Sequence, residues 1–127
     1  MFRRTYGLVI ALAFTGATPL VAHHSFAATY FQDKTITVEG DIVQFLFRNP
    51  HSFVQIEEQT ASGPVRWSIE WAAPGSLAQQ GVVRDIFKAG DHVVVTGSPG
   101  RIPDEHRMRL LSIVRPKDGW RWSGTYQ

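Results

Sequence analysis

Two histidines, His23 and His24, stand directly behind a stretch that reads as the end of an export leader, Leu20-Val21-Ala22. Cleavage after Ala22 makes His23 the first residue. A terminal histidine offers its α-amine and ring Nδ1 to one metal ion, closing a six-membered chelate. An unperturbed α-amine has a pKa of about 7.7–8, so a metal can displace its proton near neutrality. His24, or His51 behind Asn49-Pro50, supplies a third nitrogen. Two or three nitrogens in a plane favour Cu(II) over Zn(II), by ligand geometry and the Irving–Williams order. The competing reading of His23 and His24 is a solvated terminus. For His51 it is a strand-opening residue bonded to a neighbouring carbonyl.

Three further residues are candidates around such a site. Glu70 lies between Trp67 and Trp71 on the outward phase of its strand. There it either faces solvent, the commoner fate of a glutamate, or accepts a hydrogen bond from a ligating imidazole. Arg101 and Arg107 of the loop Pro99–Arg107, with Arg109 just beyond it, would hold an anionic ligand, although Asp104 and Glu105 offset much of their charge. His92 follows a turn and His106 sits in the same charged loop, so both read as surface residues. Trp67 and Trp71 alternate with polar neighbours and read as core aromatics.

No recognisable catalytic constellation accompanies these residues, and the expectation is a binding protein rather than an enzyme. With no cysteine there is no thiol nucleophile, no disulfide framework and no lipoprotein attachment site. Neither an H-E-x-x-H motif nor a phosphate-binding glycine loop occurs. Gly97-Ser98-Pro99-Gly100 resembles a hydrolase elbow only superficially, because Pro99 and Pro103 interrupt any following helix.

The leader itself spans residues 1–22: Arg3 and Arg4, an apolar core from Gly7 to Phe14, then Thr15, Gly16 and Pro19 before the cut. Cleavage after Ala17 is the alternative, and an uncleaved N-terminal anchor is a third. The apolar run is shorter than the roughly 20 residues a bilayer span needs. A periplasmic or secreted bacterial protein with no stable membrane span after cleavage is expected. Loss of the leader lowers Lys+Arg from 13 to 11, equal to Asp+Glu at 11. A neutral domain lacks the basic surplus that neutralises phosphates, which argues against nucleic acid as a partner.

Positioning these residues falls to a series of strands. Behind an N-terminal segment (23–34), residues 35–115 form the domain. Ile36 and Val38, then Val43, Phe45 and Phe47, alternate with a phase change expected at Gly40-Asp41, a bulge in a long curved strand. Ser52 to Glu58 and Val65 to Trp71 flank a Ser62-Gly63 turn as a hairpin. Pro74 to Gly81 reads as a short helix, His92–Thr96 and Met108–Val114 as the last strands. The tail, 116–127, with Trp120 and Trp122, either covers a sheet edge or stays loose. Three strands, a helix and two strands predict a mainly β, five-stranded OB-like barrel, with the helix between strands three and four. A β-sandwich with a helical crossover is the alternative.

The chain resembles an uncharacterised family of small exported bacterial proteins, a domain of unknown function. The matching residues are His23-His24-Ser25-Phe26, Gly40, Asn49-Pro50-His51, Trp67-Ser68-Ile69-Glu70, Gly81, Gly90-Asp91 and Val95-Thr96-Gly97-Ser98-Pro99. Where that family often continues with glycine after its Trp-x-x-Glu element, this chain has Trp71. The resemblance implies an exported β-barrel-like domain and carries no activity with it. Two functions are therefore expected to compete. One is a periplasmic metal-binding protein, copper favoured, using His23, His24 and His51. The other is an OB-type envelope module that binds a small ligand or a partner protein without metal, through an aromatic or basic patch beside residues 99–107.

Overall fold

The computed structural model describes residues 26–124. Its strands are β1 (Ile36–Leu46), β2 (Phe53–Thr60), β3 (Gly63–Glu70), β4 (His92–Pro99), β5 (Arg107–Arg115) and β6 (Trp120–Ser123), with a short helix α1 (Pro74–Gln79) between β3 and β4. β1 pairs with both β2 and β4, β2 with β3, and β4 with β5, all antiparallel. A parallel ladder between β3 and β5 closes the ring. The molecule is thus the closed five-strand barrel, with the helix where the sequence pattern puts it.

Alternation explains the interior. Val54 and Ile56 on β2, Ile69 on β3, Val93 and Val95 on β4, and Met108, Leu110 and Ile113 on β5 are wholly buried in one cluster. Their polar neighbours point outward, as a period of two requires. Leu77 of α1 plugs one end beside Trp71, Val82 and Phe87. Pro74 starts the helix where its missing N–H costs nothing. The chain leaves it through Gly81, at φ +79°.

The curvature of β1 has a different source from the one its glycine suggests. Gly40 keeps phase with Val38 and Ile42, all three facing inward. The register slips after Ile42, so that Val43 is the extra residue. Gly40 is instead a point of close approach: a Cβ there would collide with the Glu57 carbonyl oxygen. β2 can cross β1 tightly because nothing projects between them.

The tail covers an edge. β5 spends its Arg107–Arg109 stretch on β3, and β6 takes the same side further along, pairing Ser112–Arg115 with Trp120–Ser123. Trp122 thereby packs edge-on to Trp71, their rings 5.0 Å apart, and its indole N–H donates to Gln80 Oε1 at 2.9 Å. Trp67 departs from expectation: it is half-buried at the barrel rim, where its N–H donates to Glu58 Oε2 at 2.8 Å.

His92 is exposed, as expected of a residue after a turn, but it is engaged. Its Nδ1 lies 2.7 Å from Asp41 Oδ1 and its Nε2 2.7 Å from Glu39 Oε1, tying β4 to β1. Hydrogen bonds to Glu39 and then Asp41 raise its pKa above the ordinary value of 6.5. This contribution to stability is complete below pH 6.5 and is lost as pH rises through the folded-state value above it. Both carboxylates are well hydrated, so about 0.5 kcal/mol is at stake. Urea midpoints at about pH 6 and pH 8.5 should fall more for the wild type than for His92→Gln. Identical pH slopes would show that the bridge adds nothing.

Candidate functional site

The outer face of the barrel at the β2–β3–β5 seam gathers the sequence candidates. Ile69 points inward, so Glu70 points outward from β3. Its neighbours across the two ladders are Phe53 on β2 and Arg109 on β5. His51 precedes β2 by two residues, which places it on the same face diagonally from Glu70, within reach of a side-chain contact. The β2–β3 ladder continues past the named strands to hold this position: Trp71 N–H donates to Ser52 O at 2.8 Å, and Ser52 N–H to Ala72 O at 3.1 Å.

An outward glutamate would ordinarily be hydrated. Here it is only 7% exposed, because the segment ahead of β1 lies across it. Residues 26–29 form one helical turn, closed by Tyr30 N–H donating to Phe26 O at 2.7 Å. Three anchors hold this strap to the β4–β5 connection. Phe31 N–H donates to Pro99 O at 2.9 Å, Arg101 N–H to Thr29 O at 2.9 Å, and Arg101 Nε to Ala27 O at 2.7 Å. Tyr30, 1% exposed, is driven onto the seam.

The covered carboxylate is well supplied with donors. Tyr30 donates its phenolic hydrogen to Glu70 Oε2, and His51 Nδ1 stands 2.6 Å from Glu70 Oε1. Arg107 adds a longer ionic contact, Nη2 to Oε2 at 3.6 Å. A carboxylate only accepts hydrogen bonds, so Nδ1 carries the hydrogen and Nε2 is turned away from Glu70. Burial, and then the hydrogen bond and charge of Glu70, push the Tyr30 phenol well above its ordinary pKa, with Arg107 opposing. Tyr30 is therefore a neutral donor that holds Glu70 in place.

Aromatic contacts complete the arrangement. Phe26 stacks on the His51 ring, centroids 5.5 Å apart and planes 24° from parallel, and the Arg109 guanidinium carbon lies over the Phe26 ring, 4.1 Å from its centroid. The strap thus delivers the chain immediately behind His23-His24-Ser25 to the face of His51.

Of the residues singled out by sequence, His51, Glu70 and Arg107 come together here. His51 bonds a carboxylate and not the backbone carbonyl expected of an ordinary strand-opening histidine. Glu70 is buried, contrary to the solvent-facing reading, because a distant segment covers it. Arg101 sits apart, clamping the strap through Ala27 and lying over the Phe31 ring at 4.7 Å. His23, His24 and the leader fall outside the described residues. His106, in a left-handed conformation at φ 46°, packs edge-on against Trp67. Arg109, a candidate anion-holding residue with Arg101 and Arg107, also comes to this site, opposite Glu70 and over Phe26, whereas Phe26 and Tyr30 were not legible as site residues. Phe26 and Tyr30 are four apart, a helical spacing that marks one side of a turn, and that was the available signal.

Among the described residues no three histidine, aspartate or glutamate side chains are grouped to hold a metal ion. No described helix is long and apolar enough to cross a membrane. Fold and site together define a small closed β-barrel that carries a tyrosine–carboxylate–histidine chain under an N-terminal strap. The chain belongs to a family of unknown function, DUF6152, whose sequence model matches residues 11–109. That span includes Tyr30, His51, Glu70, Arg107 and Arg109. No curated protein matches the chain.

Proposed function

We propose that this is an exported periplasmic protein that binds a metal ion, Cu(II) in preference, with His51 as the fixed ligand and His23 and His24 as the others. One observation carries the reading: His51 is oriented by Glu70 through Nδ1, at 2.6 Å, and leaves Nε2 to ligate. Ligating histidines regularly give their other ring N–H to a carboxylate, which sets the tautomer and raises basicity. Phe26 supports it further. At up to about 3.6 Å per residue, chain connectivity limits His24 to about 7 Å and His23 to about 11 Å from the Phe26 Cα. Phe26 itself lies on the His51 ring.

The donor set fits copper. One imidazole comes from the barrel, and a terminal amine with one or two imidazoles comes from the strap, giving nitrogens that suit tetragonal Cu(II). Because the described residues hold no three-ligand group, His51 cannot serve alone. Glu70 orients the ligand and Tyr30 holds Glu70. The bound ion would supply Lewis acidity and redox capacity, while the chain's own residues bind, orient and partly desolvate it.

Mass spectrometry of the exported protein should give a chain starting at His23. Cu(II) titration should then show affinity lowered at least 10–100-fold in His51→Ala and in His23→Ala, the scale that even outer-sphere changes reach. A chain starting upstream of His23, or unchanged affinity in both variants, would remove the proposal.

A further inference from the structure

Beside the strap a groove of about 380 Å³ has an apolar lining of Phe31, Ile36, Trp67, Pro99, Ile102 and Pro103. We propose that it binds a small amphipathic anion, an apolar aromatic or acyl body bearing a single carboxylate. This inference is independent of the metal reading.

The lining is apolar, yet its charged members are cations only: Lys34 and Arg107, with His106 beside them and no aspartate or glutamate. Lys34 is exposed, its Nζ stands 4.0 Å over the Phe31 ring, and it pairs with no carboxylate among the described residues. Arg107 is partly satisfied by Glu70 at 3.6 Å and Glu105 at 3.9 Å, so Lys34 is the cation available for a new anion. One accessible ammonium beside an apolar floor suits one negative charge. A polyanion would need more cations than the groove supplies.

The walls are held before any ligand arrives. Glu58 fixes the Trp67 indole and His106 abuts its face, while Phe31 is pinned by its N–H to Pro99 O. Pro99 and Pro103 stiffen the backbone of the remaining lining. Preformed apolar clefts of roughly 300–1,000 Å³ with a few placed polar groups are the usual form of small-molecule sites. Ile102 adds the second observation. It lines the groove yet is 58% exposed, and Val83 is the only other exposed large hydrophobic side chain among the described residues. An isoleucine left in water beside a lined hollow is the side chain a bound apolar body would cover.

The test uses the metal-free full chain, titrated calorimetrically with 2-naphthoate and octanoate, and with the neutral amides of both acids. At least one acid should saturate in the micromolar to millimolar range, with its amide about tenfold weaker, a difference of about 1.4 kcal/mol. The acid that saturates tells aromatic from acyl ligands. Lys34→Glu and Ile102→Asp, both at exposed positions, should each weaken the acid about tenfold. Their thermal midpoints and Cu(II) titrations should match wild type, since neither residue touches His51 or Glu70. The proposal is overturned if no acid saturates, if acid and amide bind alike, or if both variants bind the acid as wild type does. Loss of Cu(II) binding in His51→Ala reads the other site alone, so the two proposals fail separately.

Discussion

Glu70→Ala is expected to destabilise the protein by about 2–3 kcal/mol. The substitution leaves the Tyr30 hydroxyl, on a side chain 1% exposed, without its acceptor. An orphaned buried donor costs about 1–3 kcal/mol. His51 and Arg107 also lose their partner, but their side chains are 35% and 36% exposed and can be rehydrated. The loss therefore stays below the roughly 3–5 kcal/mol of a fully buried ion pair broken on one side. Glu70→Gln keeps an acceptor for Tyr30 and should cost about 1 kcal/mol. Urea unfolding measures both. Hydrogen exchange should show the amides of residues 30 and 31 losing protection first, because Tyr30 ties the strap to the barrel. Under the proposed function, Glu70→Gln also weakens Cu(II) about 10–100-fold, as expected when an imidazole loses its charged outer partner. A urea midpoint unchanged in the alanine variant would mean that the strap is held without the carboxylate.

Trp71→Ala should be the most damaging single change in the core, at about 3–5 kcal/mol. Trp71 lies just past β3, is 0% exposed, and packs against Trp122 at 5.0 Å, Phe45 at 6.0 Å and Phe87 at 6.4 Å. Those three rings come from β6, β1 and the connector behind α1, so one deletion undermines every element closing that end of the barrel. The indole N–H is buried and meets no acceptor among the described residues. Trp71→Phe sheds that unsatisfied donor and keeps most of the ring contact, and should cost well under half as much. Comparable losses for alanine and phenylalanine would show that the ring contacts contribute little and that the indole nitrogen has a partner in solution.

The barrel was legible along the chain because alternation is a local property. Val54-x-Ile56, Val93-x-Val95 and Met108-x-Leu110 each state which side of a strand faces inward, and the helical period at Pro74–Gly81 places the helix between β3 and β4. His51 and Glu70 were also legible, but as separate residues whose ordinary readings were a locally bonded histidine and a hydrated carboxylate. Strand phase says which face a side chain occupies and nothing about what later covers that face. Glu70 is buried by Tyr30, forty positions away, and that contact exists only because Arg101 and Pro99 hold the strap across the β3–β5 seam. Placement of the bulge at Val43, with Gly40 reserved for the Glu57 carbonyl, likewise depends on how closely β2 crosses β1. Pairing of β6 depends on where β3 stops and leaves β5 an open side. Inward and outward are written residue by residue, whereas cover, partner and register arise from elements that meet only once the ring has closed.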